Sequence, residues 1–241
     1  MRTMQRNDDS TMPALAIHGA GGGPWEWAIW QRVWQAQARP FAALELMPAA
    51  HGLARTVLAD YLAQVRAAAK AMPRPCLIGA SHGGLLALAA AAEVDAAALV
   101  LVDALPPRRI APRPPLRALE GDIVAWGSRR RFASTQRAMP DADAAARHYA
   151  FRRWRDESAA VLREAVEGLD VAPPRCPVLV IAAELDEAVP TEASRALAQA
   201  LDAAFWPLRA SHVGPLLGHS AAATAARALA WTQAVTLSTA P

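Results

Sequence analysis

The chain has 241 residues, 54% hydrophobic and 20% charged, which is apolar enough to build a sizeable core and too apolar for a disordered chain. Its 25 basic and 22 acidic residues leave a net charge of +3, too balanced to mark a nucleic-acid partner, and Lys70 is the only lysine. Two cysteines, Cys76 and Cys176, each beside a strand-like run, suggest buried thiols rather than a disulfide framework.

The start, Met1 to Ser10, is polar where an export signal needs an apolar stretch. Buried strands are expected over Ala14–Ile17, Phe41–Leu46, Cys76–Ile78, Ala98–Val102, Val178–Ala182 and Ala204–Leu208, because these runs are apolar without polar alternation. Helices are expected between them, over Trp25–Gln37, Thr56–Met72, Gly83–Ala92, Thr191–Leu201 and Ser220–Ala234. The greasiest segment, Leu85 to Val102, is interrupted by Glu93 and Asp95, so it reads as helix, turn and strand rather than a membrane span. The expectation is a soluble, cytoplasmic protein with no membrane partner. The alternation of strand and helix predicts an α/β fold, a mainly parallel sheet of about six strands with helices on both faces.

One stretch breaks the rhythm. From Ala104 to Arg175 no strand is expected, only Pro-rich turns followed by helical pattern over Pro115–Trp126 and Asp141–Gly168. It carries 14 of the 24 arginines and nine acids, a net +5. The reading is a helical cap insertion at 104–175 over one edge of a core formed by 13–103 and 176–241. Its arginines are read as a solvated surface, with a weak attraction for anionic or carboxylate substrates as the sharper alternative.

The most informative stretch is Gly79-Ala80-Ser81-His82-Gly83, a G-x-S-x-G directly after an apolar strand and directly before a helix. A sharp strand-to-helix turn strains the serine and exposes its hydroxyl, while flanking glycines let neighbouring backbones approach. A serine is a weak nucleophile until an oriented base takes its proton. For this elbow the expected chain order is Ser, then an acid, then His. Asp186 lies just past a buried strand and is favoured as the acid over Glu184 and Glu187, with Asp103 as the less favoured alternative. His212, in the loop after the last strand, is favoured as the base, with His219 as the alternative. An oxyanion hole needs backbone N–H groups, and the loop His18-Gly-Ala-Gly-Gly-Gly23 offers one at Ala20 to pair with that of His82. Neither G-K-[ST] nor a G-x-G-x-x-G helix start is present, which argues against nucleotide binding.

With HGAGGG, GASHGG, ELDEAVP and ASHVG in this order, the sequence resembles the α/β-hydrolase superfamily from Pro13 to about Trp231. The short start before the first strand and the Trp25/Trp27 pair are similar to the branch holding plant methylesterases and hydroxynitrile lyases, whose sheet lacks the first two strands of the full fold. His82 is a departure, since many relatives carry Met, Leu or Gln there; its backbone role survives, but an added imidazole would alter substrate fit. Trp27, Trp30 and Trp34 sit at helical spacing and are expected to pack on the core. Trp25 is expected to touch substrate, and Trp126 and Trp154 to wall it from the insertion. The resemblance implies a serine esterase acting on a small-molecule ester through Ser81, His212 and Asp186, with no metal or organic cofactor. A hydroxynitrile-lyase-like C–C lyase is the alternative, weakened because no lysine follows Lys70. A non-catalytic small-molecule receptor on the same fold is the other.

Overall fold

The computed structural model describes residues 12–115 and 118–238, so the polar segment 1–10 and residues 116–117 of the helix expected at 115–126 lie outside the described residues. The chain runs β1 (Ala14–Ile17), α1 (Ala28–Ala36), β2 (Phe41–Leu44), α2 (Leu58–Lys70), β3 (Cys76–Ala80), α3 (His82–Ala91) and β4 (Ala98–Val102). After a long excursion it resumes with β7 (Val178–Ala183), α7 (Thr191–Ala200), β8 (Ala204–Leu208), α8 (Gly214–Leu217) and α9 (Ala221–Ser238). The excursion holds β5 (Ile123–Val124), α4 (Phe132–Ala138), α5 (Ala144–Phe151), β6 (Glu157–Ser158) and α6 (Ala159–Glu167). Among the described residues, no helix is long and apolar enough to cross a membrane.

Six strands form one sheet in the order β2-β1-β3-β4-β7-β8, every pair parallel. Side chains alternate between its faces, as the two-residue period of a strand requires. Leu15, Ile17, Leu77, Leu99, Leu101 and Val180 pack with α2, α3, α6 and α7 on one face. Ala14, Ala16, Cys76, Ile78, Val100, Val102 and Ile181 pack on the other face with Trp27, Trp30, Trp34 and α9. The three tryptophans are fully buried, and the indole N–H of Trp30 donates to the Pro215 carbonyl at 2.9 Å. All ten residues of α3 are buried, which explains its unbroken Ala/Leu run.

From β1 the chain moves outward to β2, then crosses back to β3 on the other side of β1 and continues away from it. A crevice opens at such a reversal, beyond the carboxyl ends of the two strands, and ligands of open α/β sheets bind there. Ile17 pairs with Gly79, so the loop after β1 and the turn after β3 leave the sheet at the same level, side by side.

The stretch between β4 and β7 departs from expectation. Pro115–Trp126 forms no helix over its described residues; Ile123–Val124 is instead a short strand, antiparallel to Glu157–Ser158. The continuous helix expected over Asp141–Gly168 is two helices separated by β6. Each has its own N-cap, Asp143 accepting from the Ala146 N–H at 2.7 Å and Ser158 accepting from the Val161 N–H at 3.4 Å. The expected strand Phe41–Leu46 ends at Leu44, because the Leu46 N–H turns to the ring of His18 at 3.1 Å.

Candidate active site

Ser81 has φ +54° and ψ −126°, a conformation that an L-residue adopts only under strain. Its backbone N–H is held by the Val102 carbonyl at 3.0 Å, and α3 begins at the next residue. The flanking glycines are required by space. A β-carbon on Gly79 would lie 2.3 Å from the Gly83 carbonyl oxygen, and one on Gly83 would lie 2.3 Å from that of His18. The loop after β1 therefore rests directly on the turn, and a β-carbon on Gly19 would come within 3.3 Å of Ser81 Cβ.

Along that loop the Gly19 N–H donates to Glu26 Oε2 at 3.3 Å and the Gly21 N–H to Glu157 Oε2 at 3.1 Å. Between them, the Ala20 N–H has no acceptor among the described residues. His18 is buried and bound into the scaffold. Its Nε2 accepts from the Leu46 N–H and faces Arg155 Nη2 at 3.2 Å, so the ring proton sits on Nδ1 and donates to the Gly19 carbonyl at 2.8 Å. Burial lowers its pKa to about 3, with the Arg155 charge adding to that against the Gly19 bond, and the ring stays neutral.

His212 follows β8, and its Nδ1 lies 2.6 Å from Asp186 Oδ2. Asp186 follows β7, and its Oδ1 accepts the N–H groups of Ala188 at 2.6 Å and Val189 at 3.0 Å. Burial alone would lower the His212 pKa, but contact and hydrogen bonding with Asp186, joined by the charges of Asp103 and Glu26, raise it to about 9. His219 is exposed at the turn before α9, where its N–H donates to the Asp141 carbonyl at 3.0 Å. Asp103, after β4, has φ +45° and is buried; its Oδ1 accepts the Ala183 N–H at 2.6 Å, and its Oδ2 has no partner among the described residues. Burial, then repulsion from Asp186, pushes its pKa well above the usual carboxylate range.

Ligand atoms of Asp103, Asp186 and His212 lie within 4.8 Å of one another, the one such group of metal-ligating side chains among the described residues. Two ligands of one ion, each about 2 Å from it, stand roughly 3 Å apart. The 2.6 Å between His212 and Asp186 suits a shared proton instead.

The His82 ring is fully buried with neither nitrogen hydrogen-bonded among the described residues, and it meets Tyr61 edge-on at 6.1 Å between centroids. Burial lowers its pKa and keeps it neutral. Trp25 packs edge-to-face against Trp154 at 5.0 Å and Tyr149 at 5.9 Å. The Trp154 indole N–H donates to Thr135 Oγ1 at 3.1 Å. Trp126 is 43% exposed and lies against the loop, where a β-carbon on Gly21 would be 2.6 Å from its ring.

Several partners of these residues escape a sequence reading. Glu26 is the single acid between Met12 and Leu44, a signal that could have been noticed. Burial raises its pKa to about 7 against the opposing Gly19 bond and the charge of His212. Asp141 accepts the Ser211 hydroxyl at 2.5 Å and its N–H at 2.9 Å, steadying the residue before His212. Arg155 and Glu157 bind the loop after β1 from the far side, and nothing in their local sequence marks them.

No curated protein sequence matches the chain significantly. Among solved structures, a pyrethroid hydrolase from Sphingobium faniae JZ-2 superposes with a TM-score of 0.72 at 17% identity, over 94% of this chain and 99% of that one. A methylesterase from Arabidopsis gives 0.72 at 14% identity, over 91% and 100% of the two chains. Tomato methylketone synthase I, complexed with 2-tridecanone, gives 0.73 at 13% identity, over 93% and 99%. At these identities the likeness is one of fold. The profile of the alpha/beta hydrolase family matches residues 14–230, nearly the whole chain, and with the six-stranded sheet and the turn at Ser81 it establishes that the chain belongs to that family.

Proposed function

We propose that the protein is a serine-dependent hydrolase of carboxylic esters. The observation that carries this reading is the 2.6 Å pairing of His212 Nδ1 with Asp186, at the same end of the sheet as the strained Ser81. Ser81 attacks the ester carbonyl while His212 Nε2 takes the hydroxyl proton, and Asp186 holds the imidazole with its Nδ1 protonated. The N–H groups of Ala20 and His82 receive the oxyanion of the tetrahedral intermediate. Collapse expels the alcohol, which leaves with the proton from His212. Water, deprotonated by the same imidazole, then releases the acid from Ser81. The chemistry calls for no metal or organic cofactor.

Residues 104–175 act as a cap over this site. The exposed face of Trp126, lying on the Gly21 backbone, offers a flat apolar wall for one side of a small-molecule ester, backed by Trp25 and Trp154. The test is a panel of p-nitrophenyl esters of increasing acyl length together with a fluorophosphonate probe. The parent protein should hydrolyse some of the panel and be labelled once, at Ser81. Ser81→Ala should lose on the order of a million-fold in kcat, keep its fold and take no label. Labelling that persists in Ser81→Ala removes Ser81 as the nucleophile.

A further inference from the structure

The loop after β1 contains Gly19, Gly21, Gly22 and Gly23, and such a segment has little conformational preference of its own. A backbone donor stabilises an oxyanion only if it is already aimed when charge develops. Something outside the loop must therefore hold the Ala20 N–H, and the contacts show what does.

The peptide plane bearing the Ala20 N–H also bears the Gly19 carbonyl, which receives the His18 Nδ1 proton at 2.8 Å and the Gly22 N–H at 3.2 Å. The next plane ends in the Gly21 N–H, taken by Glu157 Oε2 at 3.1 Å. The Gly21 carbonyl receives the Arg155 backbone N–H at 2.8 Å, and the Gly22 carbonyl receives Arg155 Nε at 2.6 Å. Arg155 Nη2 at 3.2 Å from His18 Nε2 keeps the ring proton on Nδ1, where the Gly19 carbonyl needs it. Both side chains are themselves braced. Glu157, 3% exposed, accepts the Tyr61 hydroxyl at 3.0 Å on its other oxygen, and Arg155 pairs with Glu45 at 3.1 Å. Of the three consecutive N–H groups at residues 19 to 21, the outer two are spent on buried carboxyl groups and the middle one is left open.

We propose that Arg155 and Glu157, reaching in from the stretch between β4 and β7, are positioning residues that set the Ala20 N–H for the oxyanion, so that this stretch completes the catalytic site as well as covering it. This rests on the ester-hydrolase reading above. Neither side chain touches substrate; each acts through the glycine loop. Their removal should therefore weaken binding of a tetrahedral oxyanion and leave binding of the planar ester largely alone.

The experiment compares Glu157→Ala, Glu157→Gln and Arg155→Met with the parent, first confirming cooperative thermal unfolding for each. Readouts are kcat and KM on one p-nitrophenyl ester, and inhibition constants for a trifluoromethyl ketone and its non-fluorinated counterpart. The first inhibitor adds Ser81 to form an oxyanion; the second binds as a planar ketone. For Glu157→Ala and Arg155→Met, kcat should fall about 100-fold, roughly what one oxyanion donor is worth, with KM within about threefold. The trifluoromethyl ketone constant should rise in parallel while that of the plain ketone holds. Glu157→Gln, which keeps an acceptor for the Gly21 N–H, should recover most of the rate. If Glu157→Ala fails to fold, Arg155→Met, altered at a partly exposed side chain, decides alone. Equal weakening of both ketones, or an unchanged kcat in a folded variant, overturns the proposal. A parent that is labelled by fluorophosphonate while its variants match it fails this inference only; a parent that neither binds the trifluoromethyl ketone nor takes the label fails the esterase reading and this one with it.

Discussion

Two aspartates end the neighbouring strands β4 and β7, and they stand in opposite electrostatic conditions. Asp186 accepts two backbone N–H groups on one oxygen and faces His212 with the other. Asp103 accepts one N–H, leaves its second oxygen unpartnered in a buried place, and holds its proton more tightly for it. Asp186→Asn should lower kcat/KM by about four orders of magnitude, since the imidazole loses both its orienting anion and its tautomer. Asp103→Asn, which keeps an oxygen for the Ala183 N–H and leaves the Asp186–His212 pair in place, should cost less than about tenfold. The measurement is kcat/KM for an activated ester near pH 8, and the reverse ranking would move the orienting acid to β4. In the sequence, a place just past a buried strand favours Asp186 without excluding Asp103. What separates them is the count of N–H donors at each carboxyl, and that depends on how three chain segments meet.

At the level of elements, the strands were legible because burial on both faces leaves an unbroken apolar run, and the turn at Ser81 because its glycines are dictated by contact. Gly83 illustrates the second. Its missing β-carbon makes room for the carbonyls of Ile17 and His18, which belong to a central strand and its exit and have no side chain to swing aside. Gly83→Ala should destabilise the protein by about 3 kcal/mol, the upper end of overpacking costs, and disable the site by pushing the glycine loop away. Urea unfolding would check it, and parental stability in that variant would remove the argument. Between β4 and β7 the sequence misled for a physical reason. Residues 141–167 contain neither Gly nor Pro, and local preference alone continues the helix. The helix stops because Arg155 and Glu157 gain bonds to the glycine loop more than a hundred residues away, which no local pattern records.

For the molecule as a whole, the buried groups make opposite demands on pH. Glu26 is raised from 4.5 to about 7 and His212 from 6.5 to about 9, with Asp103 shifted in the same direction. A group that binds its proton more tightly when folded stabilises the fold fully below its unfolded pKa, and that contribution is lost as pH rises through the folded value. His18, lowered to about 3, and His82, also lowered, act in reverse: their contribution is full above 6.5 and shrinks as pH falls below it. Between 4.5 and 6.5 the two sets oppose each other. Above 6.5 the histidine pair has no more to give, and the first set continues to erode stability until about pH 9. Activity should move the other way, because Ser81 needs a neutral His212 to take its proton. The melting temperature should thus fall steadily from pH 6.5 to 9 while kcat/KM for an activated ester climbs close to tenfold per pH unit, levelling near 9. Glu26→Gln should flatten the part of the stability slope below pH 7, and Asp103→Asn should move the activity midpoint to lower pH by removing a charge that favours the imidazolium. Differential scanning at half-unit steps, paired with initial rates on the same samples, reads both curves. A melting temperature that is flat or rising over this range, or a rate already level at pH 7, would show that the three carboxyl groups around His212 do not hold its proton as the geometry implies.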